Sequence, residues 1–149
     1  MGDYDYLPDV IVRLGGEVLF HKARVKPGKP VLIARLRDTW IASLPGNPVS
    51  VAASYHLYVR RIAAGLMGQP HSPRRNMAVL QSDVSVGGSR YYLLGAHLEE
   101  TSDGVFATPV TRQDSGRLGS IRNINGFVML DVDTRVLSKG DRVPVEWIY

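Results

Sequence analysis

The second half of the chain is the part whose sequence most restricts the fold. Short runs rich in apolar and β-branched residues recur there, and glycine-containing turn signals separate most of them. The runs cover residues 77–86, 90–98, 105–110, 126–132 and 142–148. Short strands at such regular intervals are typical of a small antiparallel barrel or sandwich. We therefore predict an all-β unit, a small antiparallel β-barrel, over residues 76–149.

The first half has a different pattern. Within residues 4–14, the apolar residues Leu7, Val10, Ile11 and Leu14 are spaced like one face of a helix. Strand-like runs follow at residues 17–25, 31–36 and 39–44, interrupted by a loop at residues 26–30 that contains two prolines and a glycine. This mixture predicts an α/β unit over residues 1–75. Residues 65–75, which are rich in helix breakers, are predicted to link it to the barrel.

The junction at residues 44–48 is the sharpest local signal. Asn47 is a preferred helix cap. Pro48 suits the first helical position, because an N–H group there has no hydrogen-bond partner within the helix and proline, which lacks the group, loses nothing. A helix is therefore predicted to begin at Pro48 and to continue to Leu66. A strand that runs into such a loop and helix is a common place to hold an anion on unpaired N–H groups. An ordinary strand-to-helix turn explains the same residues equally well.

Charge is distributed unevenly along the chain. Residues 1–75 carry eleven Lys and Arg against five Asp and Glu, a net charge of +6, whereas residues 76–149 carry seven against nine, a net charge of −2. An anionic partner is thus expected to meet the first half. Nucleic acid is the generic candidate, but no basic run exceeds two residues and no aromatic-rich single-strand-binding motif is present. We therefore predict no nucleic-acid partner.

The sequence contains no cysteine, which excludes disulfides, thiolate metal sites and cysteine nucleophiles, and which fits a cytoplasmic protein. No apolar run approaches the roughly 20 residues that span a bilayer, and the first residues lack the pattern of a signal peptide. We expect no membrane partner.

Three segments in order resemble the molybdopterin molybdenumtransferase family, whose eukaryotic relative is the C-terminal domain of gephyrin. They are Gly-Asp-Tyr-Asp-Tyr at residues 2–6, Lys-Pro-Gly-Lys-Pro at residues 26–30 and Leu-Pro-Gly-Asn-Pro-Val-Ser at residues 44–50. The resemblance covers the C-terminal portion of that family. It implies the later half of an α/β molybdopterin-binding domain followed by a small β-barrel, so the chain looks like a fragment of such an enzyme.

The resemblance implies the last step of molybdenum cofactor biosynthesis. In that step molybdate is inserted into adenylylated molybdopterin and AMP is released, with help from Mg²⁺. It places Asp5, Lys22 and Lys26 among the catalytic residues. Ammonium groups there would neutralise a pyrophosphate or molybdate anion. For Lys22 the alternative is a solvated strand residue.

Asp5 is also the metal ligand that the resemblance implies, since Mg²⁺ takes one or two carboxylates together with water and phosphate oxygens. The alternative role for Asp5 is to stabilise the dipole of the following helix. The substrate-binding residues implied by the resemblance are Lys29, Pro45, Gly46, Asn47, Pro48, Ser50 and Ser115. The full-length family is expected to be homodimeric.

An alternative function is a non-catalytic interaction or scaffold module. An α/β sheet divided midway exposes an edge and an apolar face, so another chain would have to complete it.

Overall fold

The two sequence patterns become a three-stranded and a six-stranded sheet, with a further two-stranded sheet in the second half, in a computed structural model that describes residues 6–110, 122–134 and 136–148. The helices are α1 (Leu7–Arg13), α2 (Pro48–Ser54) and α3 (Arg60–Leu66), and a π-helical turn (Tyr55–Val59) joins α2 to α3. The strands of the first half are β1 (Glu17–His21), β2 (Val25–Lys26), β3 (Leu32–Leu36) and β4 (Thr39–Ser43). Those of the second half are β5 (Arg75–Leu80), β6 (Val84–Ser85), β7 (Tyr91–Thr101), β8 (Gly104–Pro109), β9 (Gly126–Leu130), β10 (Val136–Leu137) and β11 (Arg142–Trp147).

The first sheet has three antiparallel strands in the order β1-β3-β4. The central strand β3 supplies Leu32, Ile33 and Ala34, all buried. Helix α1 covers one face through Ile11, which packs with Leu32 and Ala34. The other three residues of the predicted helical face, within the described part of that helix, are exposed. The strand-like runs predicted at residues 31–36 and 39–44 are confirmed as β3 and β4, and the tight turn between them has Arg37 in the left-handed region at φ 54°.

The helix predicted after residue 47 is also confirmed. The Asn47 side-chain oxygen accepts hydrogen bonds from the N–H groups of Val49, at 2.9 Å, and Ser50, at 3.4 Å. The helical path continues to Leu66 but widens into the π-helical turn. Within that turn Tyr58 packs its ring on Phe20 of β1, with 5.3 Å between the ring centroids. The first sheet is thereby attached to this helical segment as well as to α1.

The second sheet closes into a five-stranded barrel in the order β7-β8-β5-β11-β9, with β9 returning to β7. Its neighbouring strands are antiparallel except for the parallel pair β5–β8. The predicted barrel and its five strand regions are confirmed, but residues 77–86 divide into β5 and β6. Strand β10, which the sequence did not predict, pairs with β6. The barrel interior is filled by small and β-branched residues such as Ala78, Ala107 and Val128.

The two halves share one hydrophobic cluster. Val25 of β2, together with Ala53 and Leu57 of the helical segment, packs with Leu93 and Phe127 of the barrel. Strand β2 also joins the barrel sheet directly, since it runs parallel to the start of β7. The predicted division near residue 75 stays a prediction, and the described halves make contact on both sides of it. No helix in the described part of the chain is long and apolar enough to cross a membrane.

A buried carboxylate reinforces this joint. Glu146 of β11 is 1% exposed. Its oxygens lie 2.7 Å from Nε2 of His56 and 2.8 Å from Nε of Arg75. Arg60 donates to Nδ1 of His56 at 3.0 Å and to the Ile148 carbonyl at 2.6 Å. Because a guanidinium only donates, Nδ1 accepts and the ring proton lies on Nε2, beside the carboxylate.

The surroundings of Glu146 decide its protonation. Burial on its own raises the pKa of the carboxyl group, but hydrogen bonds from His56 and Arg75, together with the charge of Arg75, outweigh it and hold the pKa at about 2. A carboxyl group whose pKa is lower in the folded than in the unfolded chain stabilises the fold at any pH above its pKa in the unfolded chain. That stabilisation is lost as the pH falls through the pKa of the group in the folded chain.

We predict that Glu146→Gln lowers the free energy of unfolding by about 3 kcal/mol at pH 7, because the lowered pKa of Glu146 corresponds to that order of stabilisation. The gap between wild type and variant should narrow as the pH falls from about 5 to 2. Urea denaturation across that range measures it. Glu100→Gln is the matched control, since the Glu100–Arg74 ion pair is half exposed and is worth under about 1 kcal/mol. A pH-independent gap for Glu146→Gln would contradict the prediction.

Gly28 seats the 26–30 loop on α2. It adopts φ 107°, and a Cβ atom there would lie 2.7 Å from Oγ of the buried Ser54 and 3.8 Å from the Ser50 carbonyl oxygen. Only a residue without a side chain fits this backbone conformation and this close approach. The loop between the two lysines at positions 26 and 29 is therefore fixed against the helix.

We expect Gly28→Ala to destabilise the chain by about 1–3 kcal/mol, because it combines left-handed strain with a steric overlap on Ser54. Gly15→Ala is the control for strain alone, since Gly15 has φ 80° but open space around a Cβ. Thermal or urea unfolding should show that Gly28→Ala is less stable than Gly15→Ala. Adding Ser54→Ala to Gly28→Ala should restore part of the lost stability. Equal losses of stability at the two glycines would exclude a steric overlap on Ser54.

Candidate functional site

Three segments that carry predicted site residues leave the first sheet at the same end. The register pairs His21 with Leu32, and Leu32 with Ser43, so β1 and β4 end beside the start of β3. Lys22 follows β1 there, and residues 44–48 follow β4. The 26–30 loop returns to this end before β3 begins and rests on α2 through Gly28. The structure thus brings Lys22, the 26–30 loop and the 44–48 junction into one region.

Lys22 lies where the chain turns away from the sheet. Its backbone adopts φ 68°, an uncommon conformation for a residue with a side chain. Its N–H donates to the Val31 carbonyl at 2.9 Å, which holds the turn. The residue is exposed. Its ammonium group is therefore displayed to solvent at the end of the sheet, from a backbone conformation that the hydrogen bond fixes.

Lys26 faces the barrel instead. It pairs with Tyr92 in the β2–β7 register, and its Nζ lies 5.5 Å from the centroid of the Tyr92 ring. Lys26 and Pro27 form one wall of a cavity of about 260 Å³ between the loop and the barrel. Tyr92 and Leu94 of β7 form part of the opposite wall, and Asp83 lies at the rim.

The 44–48 junction is built around its own cap. Pro45 is buried, Gly46 is exposed and Pro48 is partly buried. The Asn47 side-chain oxygen accepts hydrogen bonds from the N–H groups of Val49 and Ser50. Its backbone carbonyl accepts a hydrogen bond from the Val51 N–H at 2.8 Å. The sequence suggested that unpaired N–H groups of this turn face an anion. That expectation is corrected at Val49 and Ser50, because the cap satisfies both groups.

The remaining predicted positions differ in accessibility. Ser50 is 8% exposed and lies under the Gly28 loop, whereas Lys29 is exposed beyond it. Asp5 and Ser115 lie outside the described residues, so their predicted roles stay predictions. The lysines at positions 22, 26 and 29 are all exposed, so each can contribute positive charge to this region.

The described residues offer no ready-made metal centre. Among residues 6–110, 122–134 and 136–148, no group of three or more His, Asp or Glu side chains is close enough to hold an ion. Asp83 is the carboxylate at the rim of the Lys26 cavity, and its Oδ1 accepts the backbone N–H of Lys139 at 2.7 Å. A single carboxylate that already accepts a backbone hydrogen bond is not sufficient for a Mg²⁺ site.

Sequence reasoning missed Tyr92 and the carboxylate of Glu146. Tyr92 sits within a strand of apolar residues and carried no sign that its ring would face Lys26. Glu146 follows Val143 and Val145 in an alternating strand, and alternation predicts that it points outward. It is buried because His56 and Arg75 reach it from distant parts of the chain.

Both halves of the chain are similar to known proteins. Residues 1–64 match the family described as "Probable molybdopterin binding domain", and residues 77–148 match "MoeA C-terminal region (domain IV)". The molybdopterin molybdenumtransferase of Bacillus subtilis is 31% identical over 147 residues, covering 97% of this chain and 34% of the relative. That of Haemophilus influenzae is 27% identical over 149 residues, covering 98% of this chain and 37% of the relative.

A solved structure of a molybdopterin biosynthesis moeA protein from Pyrococcus horikoshii superimposes with a TM-score of 0.82 at 28% identity. The match covers 97% of this chain and 35% of that one. The chain therefore spans about a third of the length of the relatives that it matches. On these matches, which run through both halves in order, the chain belongs to the molybdopterin molybdenumtransferase family and corresponds to the C-terminal portion of its members.

Proposed function

We propose that this chain acts in molybdenum cofactor biosynthesis, in the insertion of molybdate into adenylylated molybdopterin with release of AMP. The observation that carries the proposal is the position of Lys22 at the end of the first sheet and of Lys26 four residues later on β2, against the barrel, in a chain of this family. The proposal assigns substrate binding to residues 1–75, with Ser115 as an added contact from the barrel half. It includes the homodimer and the cytoplasmic location expected from the sequence.

The substrates of this reaction are anions, so positive charge is the first requirement. Molybdate carries two negative charges, and the phosphoanhydride of adenylylated molybdopterin carries more. Lys22 presents an ammonium group to solvent, and Lys26 lines a cavity. A lysine binds such an anion as a point charge with rotatable donors. Two lysines on separate elements are suited to two separate anionic groups.

When an oxygen of water or molybdate attacks the phosphorus on the molybdopterin side, it forms a new P–O bond there and the phosphoanhydride bond breaks. AMP leaves with the electron pair of that bond, which is additional negative charge on its phosphate. An ammonium group that is already in place stabilises this charge more in the transition state than in the bound substrate. We assign this role to Lys26 and assign molybdate binding to Lys22. Gly28 serves both steps indirectly, because it fixes the loop that begins at Lys26. Pro45, Gly46, Asn47, Pro48 and Ser50 shape the adjoining wall, and Lys29 and Ser115 complete the proposed substrate contacts.

Mg²⁺ enters the proposal through Asp5 alone, and Asp5 lies outside the described residues. The described carboxylates do not form a site for the ion. When bound, Mg²⁺ would neutralise phosphate oxygens, with water filling its remaining positions.

We predict that Lys22→Ala and Lys26→Ala each weaken binding of AMP or molybdate by roughly 10–150-fold, because a lost charged hydrogen bond costs about 1.5–3 kcal/mol. Calorimetric titration of the 149-residue chain with each anion provides the measurement. Lys139→Ala is the charge-matched control, since Lys139 lies in an exposed turn of the barrel. Unchanged affinity for both anions in both variants would rule out the proposed lysine roles.

Turnover tests the proposal more directly. We expect molybdate-dependent AMP release from adenylylated molybdopterin with the chain alone, and loss of that release in Lys26→Ala. Release that is equal in wild type and Lys26→Ala would contradict the assignment of Lys26. Binding without release would assign the chain a substrate-binding role that another chain must complete.

A second candidate function is an interaction or scaffold module without catalysis. The observation in its favour is the exposure of large apolar residues around the first sheet. Val12 of α1 is 60% exposed and Leu14, directly after the helix, is 62% exposed. Leu19 of β1 and Trp40 of β4 are also exposed. An apolar surface of this kind is typical of a protein–protein contact.

If that surface requires a partner, the isolated chain should self-associate. Multi-angle light scattering over a range of concentrations is the measurement, and Leu14→Lys should shift the chain toward monomer by placing charge on the surface. Arg13→Lys, an exposed neighbour with unchanged charge, is the control. A wild-type monomer with a cooperative thermal transition would count against the scaffold function.

A further inference from the structure

Lys26 lies against the barrel at a point that is held from several directions. The Tyr91 N–H donates to the Arg24 carbonyl at 2.9 Å, and the register pairs Val25 with Tyr91 and Lys26 with Tyr92. Arg24 adds hydrogen bonds from its guanidinium to the carbonyl and hydroxyl oxygens of Ser89, at 3.2 and 3.4 Å. The backbone of Lys26 is therefore fixed to the barrel, whereas the backbone of Lys22 is fixed to the first sheet.

The Tyr92 ring is a fixed surface for the Lys26 side chain. Tyr92 is 3% exposed, and its hydroxyl group donates to the Gly87 carbonyl. Both ends of the residue are thus held, one by the β7 backbone and the other by the turn before that strand. The ammonium nitrogen of Lys26 lies 5.5 Å from the ring centroid, within the range of a cation–π interaction.

We propose that Tyr92 is a positioning residue, which holds the ammonium group of Lys26 at the mouth of the barrel cavity for the phosphate of the substrate. The proposal rests on the function proposed above. A free lysine side chain loses rotamer freedom when it binds an anion, and this loss weakens binding. A ring on one side of the ammonium group limits that freedom beforehand. The N–H donors on the other side stay available to the anion.

This role gives the barrel a part in substrate binding within a single chain. Val84 and Val86 line the same cavity as Lys26 and Tyr92. Lys22, on the solvent-exposed end of the first sheet, has no such support among its described contacts.

Titration with AMP tests the proposal in four variants of the 149-residue chain. Tyr92→Leu removes the ring and should weaken AMP binding about fivefold, the size of an exposed cation–π contribution. Tyr92→Phe keeps the ring and should bind AMP within twofold of wild type. Lys26→Ala should bind weakly, and the double variant Lys26→Ala/Tyr92→Leu should bind no more weakly than Lys26→Ala alone. That last result shows that the ring acts through the lysine.

The outcomes separate two failures. If Lys26→Ala binds AMP like wild type, the proposed function of Lys26 fails. If Lys26→Ala binds weakly but Tyr92→Leu does not, only the positioning role fails. The role of the ring would also be overturned if the double variant bound AMP more weakly than Lys26→Ala. Equal losses of AMP affinity in Tyr92→Phe and Tyr92→Leu would overturn it too.

A second measurement does not depend on whether Tyr92→Leu folds. Lysines methylated with a ¹³C label give separate NMR signals, and Lys26→Arg identifies that of Lys26. A methyl group on an ammonium over a tyrosine ring should resonate upfield of the Lys139 signal in wild type and in Tyr92→Phe. A Lys26 signal at the position of the Lys139 signal would overturn the proposal.

Discussion

A single buried carboxylate holds the helical segment to the barrel. Burying the charge of Glu146 is unfavourable by itself, and it is tolerated because His56 and Arg75 supply hydrogen bonds from opposite sides. His56 belongs to the π-helical turn, Arg75 to the first strand of the barrel and Glu146 to the last. Three parts of the chain that are far apart in sequence are therefore brought to one point. The shared hydrophobic cluster around Phe127 packs beside it, with the His56 ring 5.2 Å from that of Phe127.

The position of this joint determines how the candidate site is assembled. Helix α2 starts at the Asn47 cap and carries Ser50 and Ser54 beneath the Gly28 loop, so the loop follows the helix. The same helical path, extended through the π-helical turn, is what Glu146 fixes to the barrel. The loop that begins at Lys26 is thus located relative to Tyr92 by two routes, the β2–β7 pairing and the helix. Anion binding is assigned to side-chain ammonium groups because the cap already uses the N–H groups of Val49 and Ser50.

Local signals predicted much of the fold. The glycine turns and alternating runs predicted the five barrel strands, and Asn47 with Pro48 predicted where the helix begins, because each depends on a few neighbouring residues. Strand β10 was not predicted, and β2 and β6 were not separated from the longer predicted runs beside them, because pairing across the fold defines these two-residue strands. The same reason applies to the site. The resemblance supplied Lys22 and Lys26, but that Lys26 would face Tyr92 and that Glu146 would be buried follow only from long-range packing.

The left-handed turn at Lys22 and the strand pairing at Lys26 have a geometric consequence. One lysine is bound to the first sheet through Val31, and the other to the barrel through β7, with three residues between them. Four consecutive Cα–Cα steps span at most about 14 Å when fully extended. The backbone is thus a tether of fixed length across the boundary between the two bodies. If the sheet and the barrel rotate apart, the Cα atoms of the two lysines stay within that limit, and any larger movement requires that the sheet or the barrel release its end of the tether.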